Sequence, residues 1–512
     1  MADKIKLFGL AAEKGRWILV ILGFTINLCL GSVYAYSVFK PHVESTCGVG
    51  GLMGNLPFMI FLAFFSILMF FGGKIMEKLG PKKLLIIGGI IVGLGWLLSY
   101  FTVGTKNIYL LTLTYGVIAG SGVGLTYGCP IASGARWFPD KKGLAVGLML
   151  AGFGGSALIT AKIADILIVS KGLNMTFLYF GIAFTIILVI LSLPFKFPPA
   201  GWKPAGWTPS AAAASIVDLN TGQMVRTGSF WGLFLCYIFG CLAGLMAIGI
   251  SKPVGSELIL IAGGAASFLV GIFAIFNAIG RPLFGALTDK ITPKWAAVIN
   301  LVLILIVSVM MISARQGTIE VSSTMLETKD GKNIVKEGTL VAQDGKVELT
   351  KGMFVIKDGN VEKTNDTLVL KEGSLSQKEG KSTIASGIIV PVEKDGPVNL
   401  KKGALVLNKG SLTIVEGNYI LYAIAFIGFW LCLGGWLAIA PAATATFFGM
   451  QSYARNYGVV FFAYGIGALL GGIISGFAKD IFGSYKFAFG PTAALAVLGI
   501  VLALIFIKPP KK

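Results

Sequence analysis

The chain has 512 residues, 55% hydrophobic and 13% charged, with a net charge of +19 and a mean hydropathy of +0.81. Soluble proteins carry about 25% charged residues, so this composition excludes a soluble enzyme or binding module and marks a chain that crosses the lipid bilayer many times. The positive charge is spread over short loops and not gathered on one polar face, which excludes nucleic acid as a partner.

Apolar runs long enough to cross a ~30 Å hydrocarbon core fall near 17–39, 52–73, 83–102, 108–130, 142–168 and 173–195. A polar segment rich in Pro, Trp and Ala, 196–228, follows. Further runs fall near 229–250, 262–286, 295–313, 419–440, 456–477 and 486–507. The expected fold class is therefore an all-α membrane protein of twelve transmembrane helices. Residues 1–195 form one six-helix bundle, 229–313 with 419–512 form the second, and 196–228 links them. Residues 1–16 are polar and basic, and the apolar run after them is too long for a cleavable signal. Lys and Arg cluster on one side: Lys74, Lys78, Lys82 and Lys83, then Arg136, Lys141 and Lys142, then Lys290 and Lys294. By the positive-inside rule that side, with both termini and the linker, is cytoplasmic, and the expected location is the cell (inner) membrane.

Residues 314–418 interrupt the second bundle between the ninth and tenth runs. Glycine recurs there at seven-residue spacing, from Gly331 through Gly359 and from Gly373 to Gly387, with a slip before Gly396. Short alternating runs between the glycines read as strands, so an extracytoplasmic β-repeat, a solenoid or a meander, is expected, with no partner identified. Its lysines balance its carboxylates, so the net charge belongs to the helical part.

Two halves of the chain share a frame. G285-x3-D289-K290 repeats G73-x3-E77-K78, which lays Asp289 on Glu77, Lys290 on Lys78 and Arg281 on Met69. Gly73, Glu77, Lys78, Gly285, Asp289 and Lys290 read as gate-stabilising turns, with solvated loop charge as the alternative. A cation inside a membrane helix marks a functional site by default. Arg281 can grip the carboxylate of a small organic anion with its fork of donors, or it can reach for the cytoplasmic headgroups. Asn277 lies one turn before it, as a partner or as an interhelical hydrogen-bonding residue. Tyr34, Tyr36, Tyr127 and Tyr464 sit inside helices, where a hydroxyl can meet a carboxylate without burying a charge; Asn27 is a similar candidate. Asp165 is expected to pair with Lys162, three residues before it. Glu257 and His42, the lone histidine, are candidates for handling a proton, with His42 read first as a surface residue. No cluster of residues points to catalysis. The six cysteines have neither framework nor ligand spacing, so no disulfide, metal or cofactor is implied.

Four motifs, G120-SGVGLTYG-C129, R136-WFPDKKGLAVG, N277-AIGRPLFG-A286 and S452-YARNYG-V459, together with the repeated turn, resemble the major facilitator superfamily. Within it the chain resembles the oxalate/formate antiporter family and the related monocarboxylate transporters, over both helical halves but not 314–418. The resemblance implies alternating access to carboxylates. It places the anion-binding arginine on Arg281 and aromatic contacts on Tyr34 and Tyr127. Where oxalate-type members have a second cation, this chain has Tyr464. Their cage aromatics fall on Leu433 and Leu437. One cation balances one carboxylate, so the expected substrate is a monocarboxylate of the lactate or pyruvate type in symport with a proton. Animal-type carriers have an aspartate at the place of Asn277, which leaves the proton's carrier unassigned. The alternatives are an oxalate/formate-type exchanger and, from another class, a receptor that works through the outer insertion.

Overall fold

A computed structural model describes residues 5–199, 202–204, 218–261, 263–322, 417–449 and 451–510, with short strands between 326 and 415. Among them, ten helices are long and apolar enough to cross a membrane. In chain order they are α1 (Ala12–Cys47), α2 (Gly51–Gly104), α3 (Ile108–Trp137), α4 (Gly143–Ser192), α5 (Gly228–Leu258), α6 (Gly263–Ile291), α7 (Pro293–Ser313), α8 (Tyr419–Phe448), α9 (Arg455–Phe482) and α10 (Tyr485–Phe506).

The expected runs 52–73 and 83–102 both lie in α2, and 142–168 and 173–195 both lie in α4, with a non-helical glycine dividing each pair. At 54 residues, α2 would span roughly 80 Å if straight. It kinks instead at Gly80 (φ 75°, ψ 165°), and α4 kinks at Gly172 (φ 84°, ψ 166°). Both sit in a backbone region that is open to glycine and strained for any residue with a Cβ. Pro81 directly after Gly80 starts the next segment, since its missing N–H is no loss at a helix start.

Helices α1–α4 pack as one group and α5–α10 as another. They meet where α2 runs along α9, α4 along α6, and α1 along α5. These crossings are close: a Cβ on Gly120 would lie 2.5 Å from the Phe61 carbonyl oxygen, which holds α3 against α2. Gly122, Gly124, Gly152 and Gly154 are also tight, whereas Gly73 faces open space.

The linker's described ends are anchored. Trp137 donates to the Lys196 carbonyl at 2.7 Å, and its ring meets Trp202 at 4.8 Å. At the other end Asn456, from the S452–V459 motif, donates to the Leu219 carbonyl and accepts from the Thr221 hydroxyl. In the loop after α3, Arg16 forks onto both oxygens of Asp140, at 2.5 and 2.8 Å, and joins the start of α1 to the R136–G147 motif.

The roots of the insertion are close together. The Gly317 N–H donates to Leu258 O at 2.8 Å, Gly417 N–H to Ile259 O at 2.7 Å, and Asn418 N–H to Arg315 O at 2.8 Å. Beyond the roots, the described backbone consists of short antiparallel strands, from Thr318–Ser322 to Gly410–Val415. Most of the recurring glycines lie outside the described residues, and so does the expected repeat domain as a whole.

Candidate functional site

Arg281 is on α6 and only 4% exposed. It does not reach the polar end of its helix. Its guanidinium carbon lies 5.9 Å from the centre of the Phe153 ring of α4. None of its three guanidinium nitrogens has a hydrogen-bond partner. The hydroxyls of Tyr34 and Tyr127 lie within its electrostatic reach. An unpaired guanidinium at membrane depth costs at least about 2.5–3.5 kcal/mol, and a guanidinium so placed can take up an anion.

Aromatic rings from both halves enclose it. Tyr34 on α1 and Tyr464 on α9 share a hydroxyl–hydroxyl hydrogen bond of 2.8 Å across the interface. Tyr34 meets Phe153 edge-on at 5.1 Å, and Phe153 meets Tyr127 at 5.1 Å. Phe461 stacks on Tyr464 at 5.0 Å with the planes 13° apart. Phe65 of α2 touches both Tyr127 and Tyr464. The site is thus one cation, three hydroxyls and a wall of apolar rings, which can orient one carboxylate and exclude water from it.

Asn277 makes the interhelical hydrogen bond of its second reading. Its amide donates to the Trp430 carbonyl of α8 at 3.0 Å, while its Oδ1 is buried without a partner. Close glycines fix it. A Cβ on Gly154 would lie 2.7 Å from that Oδ1, and one on Gly434 would collide with the Asn277 carbonyl. Trp430 also meets Tyr34, at 6.1 Å, which ties α8 to the same cage.

Other expected residues lie apart from this cage. Leu433 is buried on α8, where a Cβ at Gly244 of α5 would come within 2.5 Å of it. Leu437 is buried on the same helix, and neither leucine has a described contact with Arg281. Asn27 is buried and donates to Gly23 O within α1, its Oδ1 unpartnered. Tyr36 donates instead to Gly54 O at 2.6 Å and stacks on Phe58. Glu77, Lys78, Asp289 and Lys290 are exposed, and none is in a described ion pair; Gly285 approaches Ala438. Phe65, Phe153 and Phe461 were not anticipated. In an apolar helix a phenylalanine that lines a site has the same sequence signature as one that packs.

At the opposite end from the two glycine turns, polar contacts join the halves. Lys40 of α1 donates to the Tyr485 hydroxyl of α10 at 2.7 Å and pairs with Glu44. Asp480 of α9 accepts from the backbone N–H groups of Gly51 and Leu52, at 2.5 and 2.8 Å, where α2 begins. Lys479 pairs with Glu257 at 2.6 Å. Asp165 does not pair with Lys162. Its partners are Lys252 of α5 at 2.6 Å and the Ser267 hydroxyl of α6 at 2.8 Å.

Residues 21–325 match the Major Facilitator Superfamily. The chain is 29% identical over 281 residues to the oxalate:formate antiporter of Oxalobacter formigenes, a match that covers 54% of this chain and 64% of that protein. It is 39% identical over 88 residues to apicoplast pyruvate carrier 1 of Toxoplasma gondii, 17% of this chain and 16% of that one. Monocarboxylate transporter 13 of Rattus norvegicus matches at 36% over 92 residues, 18% and 21% of the two chains. In three dimensions the chain is similar to a bacterial homolog of the human lysosomal transporter Spinster, with a TM-score of 0.61 at 12% identity, over 97% of this chain and 98% of that one; the likeness is one of fold. These curated relatives are by name an antiporter, a carrier and a transporter, and the chain belongs to the Major Facilitator Superfamily.

Proposed function

We propose that this chain is a secondary transporter that moves a small monocarboxylate of the lactate or pyruvate type by alternating access, in symport with a proton. Arg281 binds the carboxylate, and Tyr34, Tyr127 and Tyr464 supply the hydroxyls around it. The observation that carries this reading is the buried guanidinium with no carboxylate beside it among the described residues. One unpaired cation asks for one negative charge, since a second carboxylate in the same cage would be buried without a partner. The names of the pyruvate carrier and of the monocarboxylate transporters support the same substrate class.

In this reading α2 and α4 each cross the membrane twice, at the Gly80 and Gly172 kinks, which gives twelve crossings. The glycine-turn end faces the cytoplasm and the Lys40 end faces out. The polar contacts at the Lys40 end then describe a carrier closed to the outside. Gly73, Glu77, Lys78, Gly285, Asp289 and Lys290 act at the cytoplasmic gate, where no pairing holds them in this conformation.

Exchange of oxalate for formate is the second reading, favoured by the longer match to the antiporter. Uptake of labelled pyruvate and of labelled oxalate into proteoliposomes separates the two. Pyruvate uptake that is driven by an inward proton gradient and abolished by Arg281→Ala supports symport. Oxalate uptake that needs internal formate and ignores pH supports exchange and overturns the monocarboxylate reading.

A further inference from the structure

Among the described ion pairs, Lys252–Asp165 is the one that joins the two halves. Lys252 Nζ lies 2.6 Å from Asp165 Oδ1, with the two side chains 8% and 22% exposed. The Ser267 hydroxyl donates to the same oxygen at 2.8 Å. His42 of α1 lies within electrostatic reach of both charges. Among the described residues these are the groups recorded against Asp165 from its neighbouring helices, and Lys162 lies one turn before it on α4. Asp165 and His42 belong to the N-terminal half, and Lys252 and Ser267 to the C-terminal half.

That division has a physical result. When the halves part at this end, Asp165 loses its cation and its hydroxyl donor together and keeps only His42 beside it. A partly buried carboxylate left without a partner is unfavourable. A proton taken from solvent relieves it, either on the carboxylate or on the imidazole, the side chain whose ordinary titration lies nearest neutrality. The neighbouring pairs do not behave this way. Lys40–Glu44 lies within one half and Lys479–Glu257 within the other, so both survive the separation.

We infer that Asp165 and His42 form the proton-binding site of the transport cycle, filled when Lys252 is withdrawn and emptied when Lys252 returns to Asp165. The only bonds made and broken are those to the proton, which the Lys252 ammonium replaces as the carboxylate's counter-charge. Ser267 is a positioning residue that aims the carboxylate at Lys252. The inference rests on the symport reading above.

The test uses the full chain in proteoliposomes with labelled pyruvate. For one coupled proton, a gradient of about one pH unit supports about tenfold accumulation. Asp165→Asn is expected to reduce that stimulation to about onefold while exchange of internal for external pyruvate at equal pH continues. His42→Gln is expected to shift the pH midpoint of stimulated uptake. Full stimulation in Asp165→Asn overturns the inference. Loss of both processes supports it if Asp165→Glu restores the gradient response and overturns it if Asp165→Glu does not.

A second readout needs no substrate, so it separates failure of this site from failure of the symport reading. Spin labels are placed at Val169 and Phe487, which are exposed on the two halves, in a Cys47→Ser background, the other cysteines being buried. The distance between them is expected to lengthen on acidification in the otherwise wild-type protein and to be insensitive to pH in Asp165→Asn. A distance that ignores pH in the otherwise wild-type protein overturns the inference, whatever pyruvate does.

Discussion

Replacing Arg281 by methionine separates a binding role from a structural one, because the two predict opposite changes in stability. The guanidinium is buried and unpaired in the empty site. An apolar side chain of similar length removes a penalty of about 2.5–3.5 kcal/mol and forfeits about 1–2 kcal/mol of attraction to the Phe153 ring. The substrate-free variant should therefore be more stable, by about 1–2 kcal/mol. Binding moves the other way. Two charge-assisted hydrogen bonds are worth about 1.5–3 kcal/mol each, so the loss of about 3–6 kcal/mol raises Kd by about a hundredfold to over ten-thousandfold. A thermal melt in detergent, followed by tryptophan fluorescence, reads the first quantity, and calorimetric titration with pyruvate reads the second. A lower melting temperature combined with unchanged pyruvate affinity would falsify the reasoning, since it would make Arg281 a support of the fold.

Three further outcomes follow from other contacts. Tyr464→Lys puts a second cation beside Tyr34, so oxalate should compete with labelled pyruvate at least about tenfold better than in wild type; equal competition would detach Tyr464 from substrate choice. Gly434→Ala drives a Cβ into the Asn277 carbonyl and should cost about 1–3 kcal/mol or more, lowering the yield of monodisperse protein by size exclusion, whereas Gly73→Ala meets open space and should elute as wild type. Arg16 holds the Asp140 carboxyl below its ordinary value of 3.8, chiefly through its hydrogen bonds. A carboxyl lowered in the folded state contributes stability that is whole above its unfolded pKa and is lost as pH falls through the folded one. Melts should therefore show the Asp140→Asn penalty, under about 1 kcal/mol for so superficial a pair, at pH 7, and show it vanish below about pH 4. A penalty independent of pH would place its origin elsewhere.

How much of this was legible in the sequence depended on the range of the interaction. The positions of the apolar runs, the odd charge in α6 and the shared glycine turns are local signals, and each was placed by composition and spacing. Arg281 stood out because a charge among apolar neighbours needs no partner to be seen. Asp165 shows the opposite case. Its nearest opposite charge in sequence is Lys162, and helical spacing made that pair plausible, but α5 brings Lys252 to it from 87 residues away. A local rule cannot see a contact made by two halves closing on each other. The joints inside α2 and α4 were legible as breaks between apolar runs, and the structure adds that each break falls on a single glycine with positive φ.

The way residues 314–418 are attached has a practical consequence. Entry and exit meet on one short loop, Leu258 and Ile259, through two backbone hydrogen bonds, and a third joins them to each other. The helices are therefore indifferent to the length of what hangs between Gly317 and Gly417, provided that its ends come together. A compact folded module with adjacent termini can take that place. On a 54.0 kDa chain made largely of membrane helices, such a module would serve as a rigid fiducial for electron cryomicroscopy and as a grip for surface capture, carried between α7 and α8 and braced on the loop between α5 and α6.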